Sequence, residues 1–392
     1  MNEDFPDTLE RLHDEIDEGV FTRGLQAVVE VDGERVLDVA LGDAGTGAAM
    51  TADHVLRVYC TGKPVLALAV AQLVDSGALD LDVPLEEKLP DFRPLEGGVT
   101  LRHVLTHTAG LHHPSGVAME MVPPEKRRRQ IEQSRRPGNF HVGVDAAYSE
   151  YAGWQVVGWL VEQESGTPLR EYLREHVLDP MGLGSTWIGM TPEEYTAVVP
   201  RLGVNHEMRQ GSSLPMLFER TERVCTEANP SHGCYASAGD LARFYSELVA
   251  TLDGVGVDAM PAAATLETFT SVARPPVPDQ VLERVCSYGL GFMTPLHEHA
   301  FGEQCSERSF GHSGNIGASF AFADPEHGLA VGIVFNGLVG HEAAFLRRRS
   351  LVGAIYGDLA AREYATGAEG APDPEVHEPR RTGFLGRLRS RR

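Results

Sequence analysis

Cysteine, lysine and long apolar runs are all scarce in this chain of 392 residues, and each scarcity removes a class of protein. The five cysteines, Cys60, Cys225, Cys234, Cys286 and Cys305, are odd in number and unevenly spaced, so a disulfide framework is not expected and at least one thiol is free. The chain has no CxxC pair and no HExxH helix, which removes sequence support for a zinc site, and no cofactor is expected. No apolar run approaches the roughly 18–20 residues of a membrane span, so no transmembrane helix is expected. The opening MNEDFPDTLERLHDE is acidic and lacks the basic start and apolar stretch of a signal peptide, from which a cytoplasmic location is expected. Positive charge is also short: 34 Lys and Arg against 56 Asp and Glu give a formal charge of −22, which argues against nucleic acid as a partner. Only Lys63, Lys88 and Lys126 are lysines; the other basic residues are arginines.

That scarcity makes one lysine informative. Residues 54–76, HVLRVYCTGKPVLALAVAQLVDS, join a strand-like run ending at Tyr59 to an apolar helix opened by Pro64, a residue tolerated in a helix's first turn. Cys60 falls at or near the helix start, where backbone N–H groups favour an anion. Lys63 follows one turn later on the same side. Lysine can lose its proton where arginine cannot, so a lysine at this place points to acid–base chemistry beside a reactive thiol. The plain alternative is a buried cysteine and a lysine whose stem is packed while its head reaches water.

Along the chain, residues 5–18 read as a surface helix, and the alternating stretch around Asp32-Gly33 reads as a hairpin. A helix starting at Thr100 is expected to end at Gly110, and one following Tyr148-Ser149-Glu150 to end at Gly166. Residues 112–144, rich in Pro, Gly and Arg, read as a loop or lid, with KRRR at 126–129 a solvated surface. Residues 190–232 are weakly patterned, and a helix is capped near Ser237. SYGLGFMTP, SFGHSGNIGASFAFADP and GLAVGIVFNG read as successive antiparallel strands, followed by a helix over roughly 341–360. Residues 366–392 lack periodicity and read as a disordered tail ending in a basic stretch. There is no internal repeat. Strands at both ends and helices between them fit a sheet built from both termini with a helical insertion.

Taken together, several motifs in order carry a resemblance: CTGK at 60–63, LRHVLTHTAGL at 101–111, YSE at 148–150, DPMGLGSTW at 179–187, ASAGDLARF at 236–244 and GHSG at 311–314. The chain resembles the serine β-lactamase and penicillin-binding protein superfamily, in its esterase and class C β-lactamase-like branch, over roughly residues 20–360. The resemblance implies an α/β (α+β) fold, an antiparallel sheet flanked by helices plus a helical subdomain. It implies one catalytic domain over 1–365, with the sheet subdomain from about 20–60 and 280–365 and the helical subdomain from about 64–275. It also implies roles: position 60 as acyl-carrying nucleophile, Lys63 and Tyr148 handling protons, the backbone N–H groups of Cys60 and Asn315 as oxyanion donors, and His312 and Gly314 lining the substrate edge.

Two residues depart from the family pattern. Cys60 replaces the nucleophilic serine, so an acyl intermediate would be a thioester. Glu150 replaces the asparagine of Tyr-x-Asn; a carboxylate cannot donate to a substrate carbonyl and attracts a cation, for which Lys63 or a cationic acceptor amine are the candidates. The expected function is an acyltransferase (transacylase) or hydrolase acting on an ester, thioester or amide through Cys60, with a small-molecule acyl donor and an amine as a possible acceptor. The alternatives are a catalytically inactive binding protein on the same fold and a redox-sensing thiol protein.

Overall fold

In a computed structural model, residues 4–369 are described apart from 19–20, 115, 117–118, 120–121 and 210–211. The main sheet has five antiparallel strands: β1 (Gly24–Val31), β2 (Glu34–Gly42), β3 (Phe310–Ser313), β4 (Ser319–Asp324) and β5 (Leu329–Phe335), in the order β3-β4-β5-β1-β2. The tight turn at Asp32-Gly33 joins β1 to β2, with both residues at positive φ. β1 then pairs along its length with β5, from Leu25 opposite Phe335 to Val31 opposite Leu329. The sheet is therefore closed by strands from the two ends of the chain.

Strand alternation divides large from small side chains. Leu25, Ala27 and Val29 of β1, Phe320 and Phe322 of β4, and Leu329, Val331, Ile333 and Phe335 of β5 pack on one face against α1 (Pro6–Glu18) and the C-terminal helix, His341–Glu369. Ala321, Ala323, Ala330 and Gly332 face the other way, under the helix Ala238–Leu252. A Cβ at Gly332 would lie 2.3 Å from the Ala238 carbonyl oxygen, so small residues are what let this helix approach the sheet. Ser237 caps that helix through the Asp240 N–H, as the sequence predicts.

The helix Lys63–Asp75, apolar on all sides, is buried from Lys63 through Ala71 and again at Leu73, and forms the axis of the helical region. Ala152–Ser165 packs beside it and ends at Gly166 in the left-handed conformation, at the expected residue. Four expectations need correction. The helix from Thr100 covers only Leu101–Leu105, because Thr106 turns its hydroxyl back to the Arg102 carbonyl and His107 takes a positive φ of 59°. Part of the loop at 112–144 is a helix, Pro124–Glu132, and its Arg127 is buried and bonded to the Tyr151 hydroxyl and to Glu227 rather than solvated. In SYGLGFMTP the strand stops at Tyr288, since Gly291 has a positive φ and the chain turns. The C-terminal helix continues through Glu369, past the expected tail start; residues 370–392 lie outside the described residues. Among the described residues no helix is long and apolar enough to cross a membrane.

Between β2 and the Lys63 helix, the chain makes a short strand, Leu56–Arg57, and one 3-10 turn, Tyr59–Gly62. This turn is held from beneath by a buried polar group. Glu219 accepts from the Tyr59 hydroxyl at 2.7 Å, from Arg57 at 3.3 Å and from Asn205 at 3.1 Å. Removing one partner of such a buried set leaves the other charge uncompensated, at a cost of about 3–5 kcal/mol. Glu219→Ala is expected to lower the urea midpoint accordingly; a midpoint within experimental error of wild type would show that the turn does not rely on this carboxylate.

Candidate active site

The turn that Glu219 holds presents Cys60. Tyr59, just before it, has a φ of +53°, an unusual conformation for a bulky residue that its hydroxyl bonds to Glu219 and Asn205 stabilise. Cys60 is only 6% exposed and lies on the floor of a cavity of about 440 Å³. The helix proper begins at Lys63, so the thiol sits one 3-10 turn ahead of it. Lys63 has no solvent exposure. Its ammonium nitrogen donates to the Cys60 sulfur at 2.9 Å and to the Ser231 carbonyl at 2.6 Å. It also lies 5.7 Å from the ring centres of both Tyr148 and Trp154. The reading of a lysine reaching water is thereby corrected: burial turns its head to the sulfur.

Tyr148 shares this cavity with Cys60. Burial, and then the charge of Cys60, raise its hydroxyl well above 10. Tyr148 therefore holds its proton at neutral pH and acts toward the sulfur as a donor. Its ring is braced by His107 at 4.5 Å between centroids, and its backbone N–H donates to Asp279 at 3.0 Å. The His107 ring is itself fixed by the Ser149 N–H, which donates to Nδ1 at 3.1 Å.

At the opposite edge, Ser313, Gly314 and Asn315 line the cavity at the end of β3. Among the described residues, the backbone N–H groups of Cys60 and Asn315 make no hydrogen bond to a group outside their own turns. Such N–H groups beside a sulfur are of the kind that stabilise an anionic oxygen. Gly314 has a different purpose from the one its sequence suggests. A Cβ there would meet the Val58 carbonyl oxygen at 2.6 Å and the Ser319 hydroxyl at 2.3 Å, so the glycine admits the nucleophile turn rather than only the substrate. Ser319 completes that join, donating to the Val58 carbonyl at 2.8 Å and lying 2.9 Å from the Thr61 hydroxyl. A valine at 314 would part strand from turn, so it is no test of substrate access alone.

His312 and Glu150 sit differently from expectation. His312 is fully buried and faces Tyr288, whose hydroxyl lies 3.2 Å from Nε2, while Nδ1 is 3.0 Å from the Ser313 carbonyl. That carbonyl can only accept, which makes Nδ1 the protonated nitrogen and Nε2 the acceptor for Tyr288. His312 thus backs the wall instead of lining it. Glu150 is half-buried, lines the cavity, and forms no ion pair with Lys63. The lysine's polar contacts are the sulfur and a carbonyl deeper in the protein, which leaves the carboxylate free to face a ligand. Sequence reasoning missed Ser231, His107 and Tyr288. Ser231 contributes only a backbone oxygen, which no residue type reveals, and the other two lie in segments that read as a helix end and a core strand.

The thiol, the lysine and the phenol thus meet at the seam of an antiparallel sheet and a helical region. The profile of the Beta-lactamase family matches residues 12–354, and the chain belongs to that family. It is similar to Esterase EstB of Burkholderia gladioli, 29% identical over 254 residues, which cover 56% of this chain and 64% of EstB. It is similar to Esterase/beta-lactamase LipL of Mycobacterium tuberculosis, 24% identical over 339 residues, covering 79% of this chain and 76% of LipL. Among solved structures, a penicillin-binding protein homolog from Caulobacter crescentus superposes with a TM-score of 0.75 at 25% identity, covering 91% of this chain and 97% of that one.

The buried histidines around the site have a consequence for acid stability. Burial, and then the Lys63 charge, hold His312 at about 3; burial alone leads the same shift for His299. In the unfolded chain both titrate near 6.5, so the native state's advantage is complete above that pH and drains as pH falls toward 3. Each such histidine contributes a slope approaching about 1.4 kcal/mol per pH unit in that window. Urea midpoints are expected to fall between pH 6.5 and 4, less steeply in His312→Gln. An unchanged slope in that variant would mean His312 is protonated in the native protein.

Proposed function

We propose that this protein is an acyl-transferring enzyme that carries its acyl group on Cys60 as a thioester and passes it to an amine or to water. The observation that carries the reading is the 2.9 Å contact between the Lys63 nitrogen and the Cys60 sulfur on the floor of a cavity. Acyl transfer needs a nucleophile, a route for its proton and donors for the oxyanion. Cys60 supplies the first, Lys63 and Tyr148 the second, and the N–H groups of Cys60 and Asn315 the third. The sulfur attacks the donor carbonyl. The Cys60 proton, already held on Lys63, reaches the departing alcohol, thiol or amine through the Tyr148 hydroxyl, which donates to the leaving group and is reprotonated by Lys63. The same groups take the proton from the acceptor when the thioester is resolved.

The esterase names of EstB and LipL support ester chemistry on this fold. Glu150 supports transfer to an amine: a half-buried carboxylate lining the cavity, with no ion pair among the described residues, suits an amine acceptor that docks in its protonated form and gives that proton up to solvent before it attacks. A catalytically inactive binding protein would not need a buried lysine on its cysteine.

Intact mass after incubation with a phenyl thioester is the direct test: an acyl increment that maps to Cys60, and its loss in Cys60→Ala, is expected. Substoichiometric iodoacetamide should label Cys60 ahead of the other four, of which Cys234 and Cys305 are pushed up to about 12 by burial and Cys286 to about 11. An acyl group on any other residue, or none at all, overturns the proposal. Glu150→Gln separates the two readings of that carboxylate. With Glu150 serving the acceptor, KM for an amine rises roughly tenfold, as for one lost charge-assisted bond, while the pH profile of Cys60 alkylation stays put. A shifted profile with unchanged KM would return Glu150 to Lys63.

A further inference from the structure

The cavity above Cys60 carries a charge asymmetry that the chemistry at the sulfur does not use. In a chain with 56 acidic and 34 basic side chains, two arginines line it, Arg284 and Arg348. Arg284 opens the strand Arg284–Tyr288, and Arg348 lies in the second turn of the C-terminal helix. Among the described residues neither is in an ion pair. The acid opposite Arg284 in its hairpin, Asp279, is already committed to Arg274 and to the N–H groups of Tyr148, Val281 and Leu282.

Arg348 is aimed without being neutralised. Its Nε donates to the Ala300 carbonyl at 3.1 Å and its Nη2 to the His299 carbonyl at 3.3 Å, and its guanidinium lies 4.7 Å from the Phe301 ring centre. Both arginines line the same cavity, and burial first, and then the like charge of Arg284, lower Arg348 to about 10. His299 on that wall is neutral, and Val281, Leu282 and Phe345 are apolar. Glu150, the acid among the described lining residues, follows Tyr148, on the side where the proton of the leaving or accepting group is handled. The helix bearing Arg348 instead packs on the turn after Asn315: Arg347 donates to the Gly317 carbonyl, and a Cβ at Gly317 would meet Ala344 at 2.6 Å.

We propose that Arg284 and Arg348 form an anion subsite that selects acyl donors bearing a carboxylate or phosphate at the end remote from the reacting carbonyl. Two guanidinium forks on one side of a partly enclosed cavity suit the planar or tetrahedral oxygens of such a group. The apolar residues that line the same cavity, Val281, Leu282, Met293 and Phe345, suit the carbon chain that links it to the carbonyl. This assignment rests on the reading of Cys60 as the acyl carrier, and its test separates the two.

Acylation of Cys60 is followed by intact mass with a matched pair, the S-phenyl monothioester of glutaric acid and its methyl ester. Wild type is expected to prefer the free acid at least tenfold, with the ratio falling as sodium chloride is raised. Arg284→Ala should cut the ratio about tenfold, as for one charge-assisted contact, and Arg348→Lys, which keeps the charge but loses the fork, by less. A wild-type ratio near one, or a ratio that survives in Arg284→Ala, overturns the subsite while leaving Cys60 acylation intact. Binding is measured separately in Cys60→Ala by calorimetry with monophenyl glutarate, inorganic phosphate and methyl phenyl glutarate. Anion binding that vanishes in Cys60→Ala/Arg284→Ala sustains the subsite even where wild type forms no acyl-enzyme, which would sink the Cys60 reading alone. Phosphate binding without glutarate binding assigns the subsite to phosphate, the converse to carboxylate, and equal binding of the neutral diester overturns it.

Discussion

A lysine side chain with no solvent exposure constrains this molecule more than any other group. An amine taken out of water must find acceptors, and Lys63 has a sulfur and one carbonyl as its hydrogen-bond partners, with two aromatic faces alongside. Those few contacts dictate a great deal. They set where the Cys60 side chain points, where the loop carrying Ser231 must pass, and why Tyr148 and Trp154 present their faces inward. The thiol is not merely near a base. It is one of the contacts that make burial of that lysine tolerable, so the nucleophile and the core cannot be varied independently.

The remaining architecture can be understood as holding the turn that bears this pair. From below, Glu219 collects Tyr59, Arg57 and Asn205, and keeps a bulky residue at positive φ. From the side, β4 is stitched to the turn through Ser319, and Gly314 leaves room for the contact. The floor of the site is therefore tied to the fold on two sides. Its walls are of another character: a carboxylate on one side, arginines and aliphatic side chains on the other, each able to meet a ligand without disturbing the turn.

Much of this was readable from residue order. The Asp32-Gly33 hairpin, the apolar helix after Pro64, the glycine stop at Gly166 and the strands at both termini follow from local propensity and periodicity. Cys60, Lys63 and Tyr148 are brought together where the motif order implies. What the sequence hid has a common cause: direction. Nothing in a string of letters says that Lys63 turns inward to a carbonyl, that Glu150 turns away from it, or that His312 faces Tyr288. Gly314 lines the cavity as its motif implies, but its second role is hidden because the neighbours that need the space, Val58 and Ser319, lie elsewhere along the chain. Arg127 looked like part of a charged surface because its partners, Tyr151 and Glu227, come from other segments.

The order in which the chain is made gives the sheet's closure a further meaning. β1 and β2 are synthesised early, but the strand that covers β1, and the Ser319 that clasps Thr61 from 258 residues away, come near the end. Contacts so remote in sequence form late and slowly. A growing chain thus holds Cys60 and Lys63 long before Ser231 can meet Lys63 across 168 residues, or Ser319 can meet Thr61 across 258. The turn that bears Cys60 is therefore complete only when the last third of the polypeptide arrives.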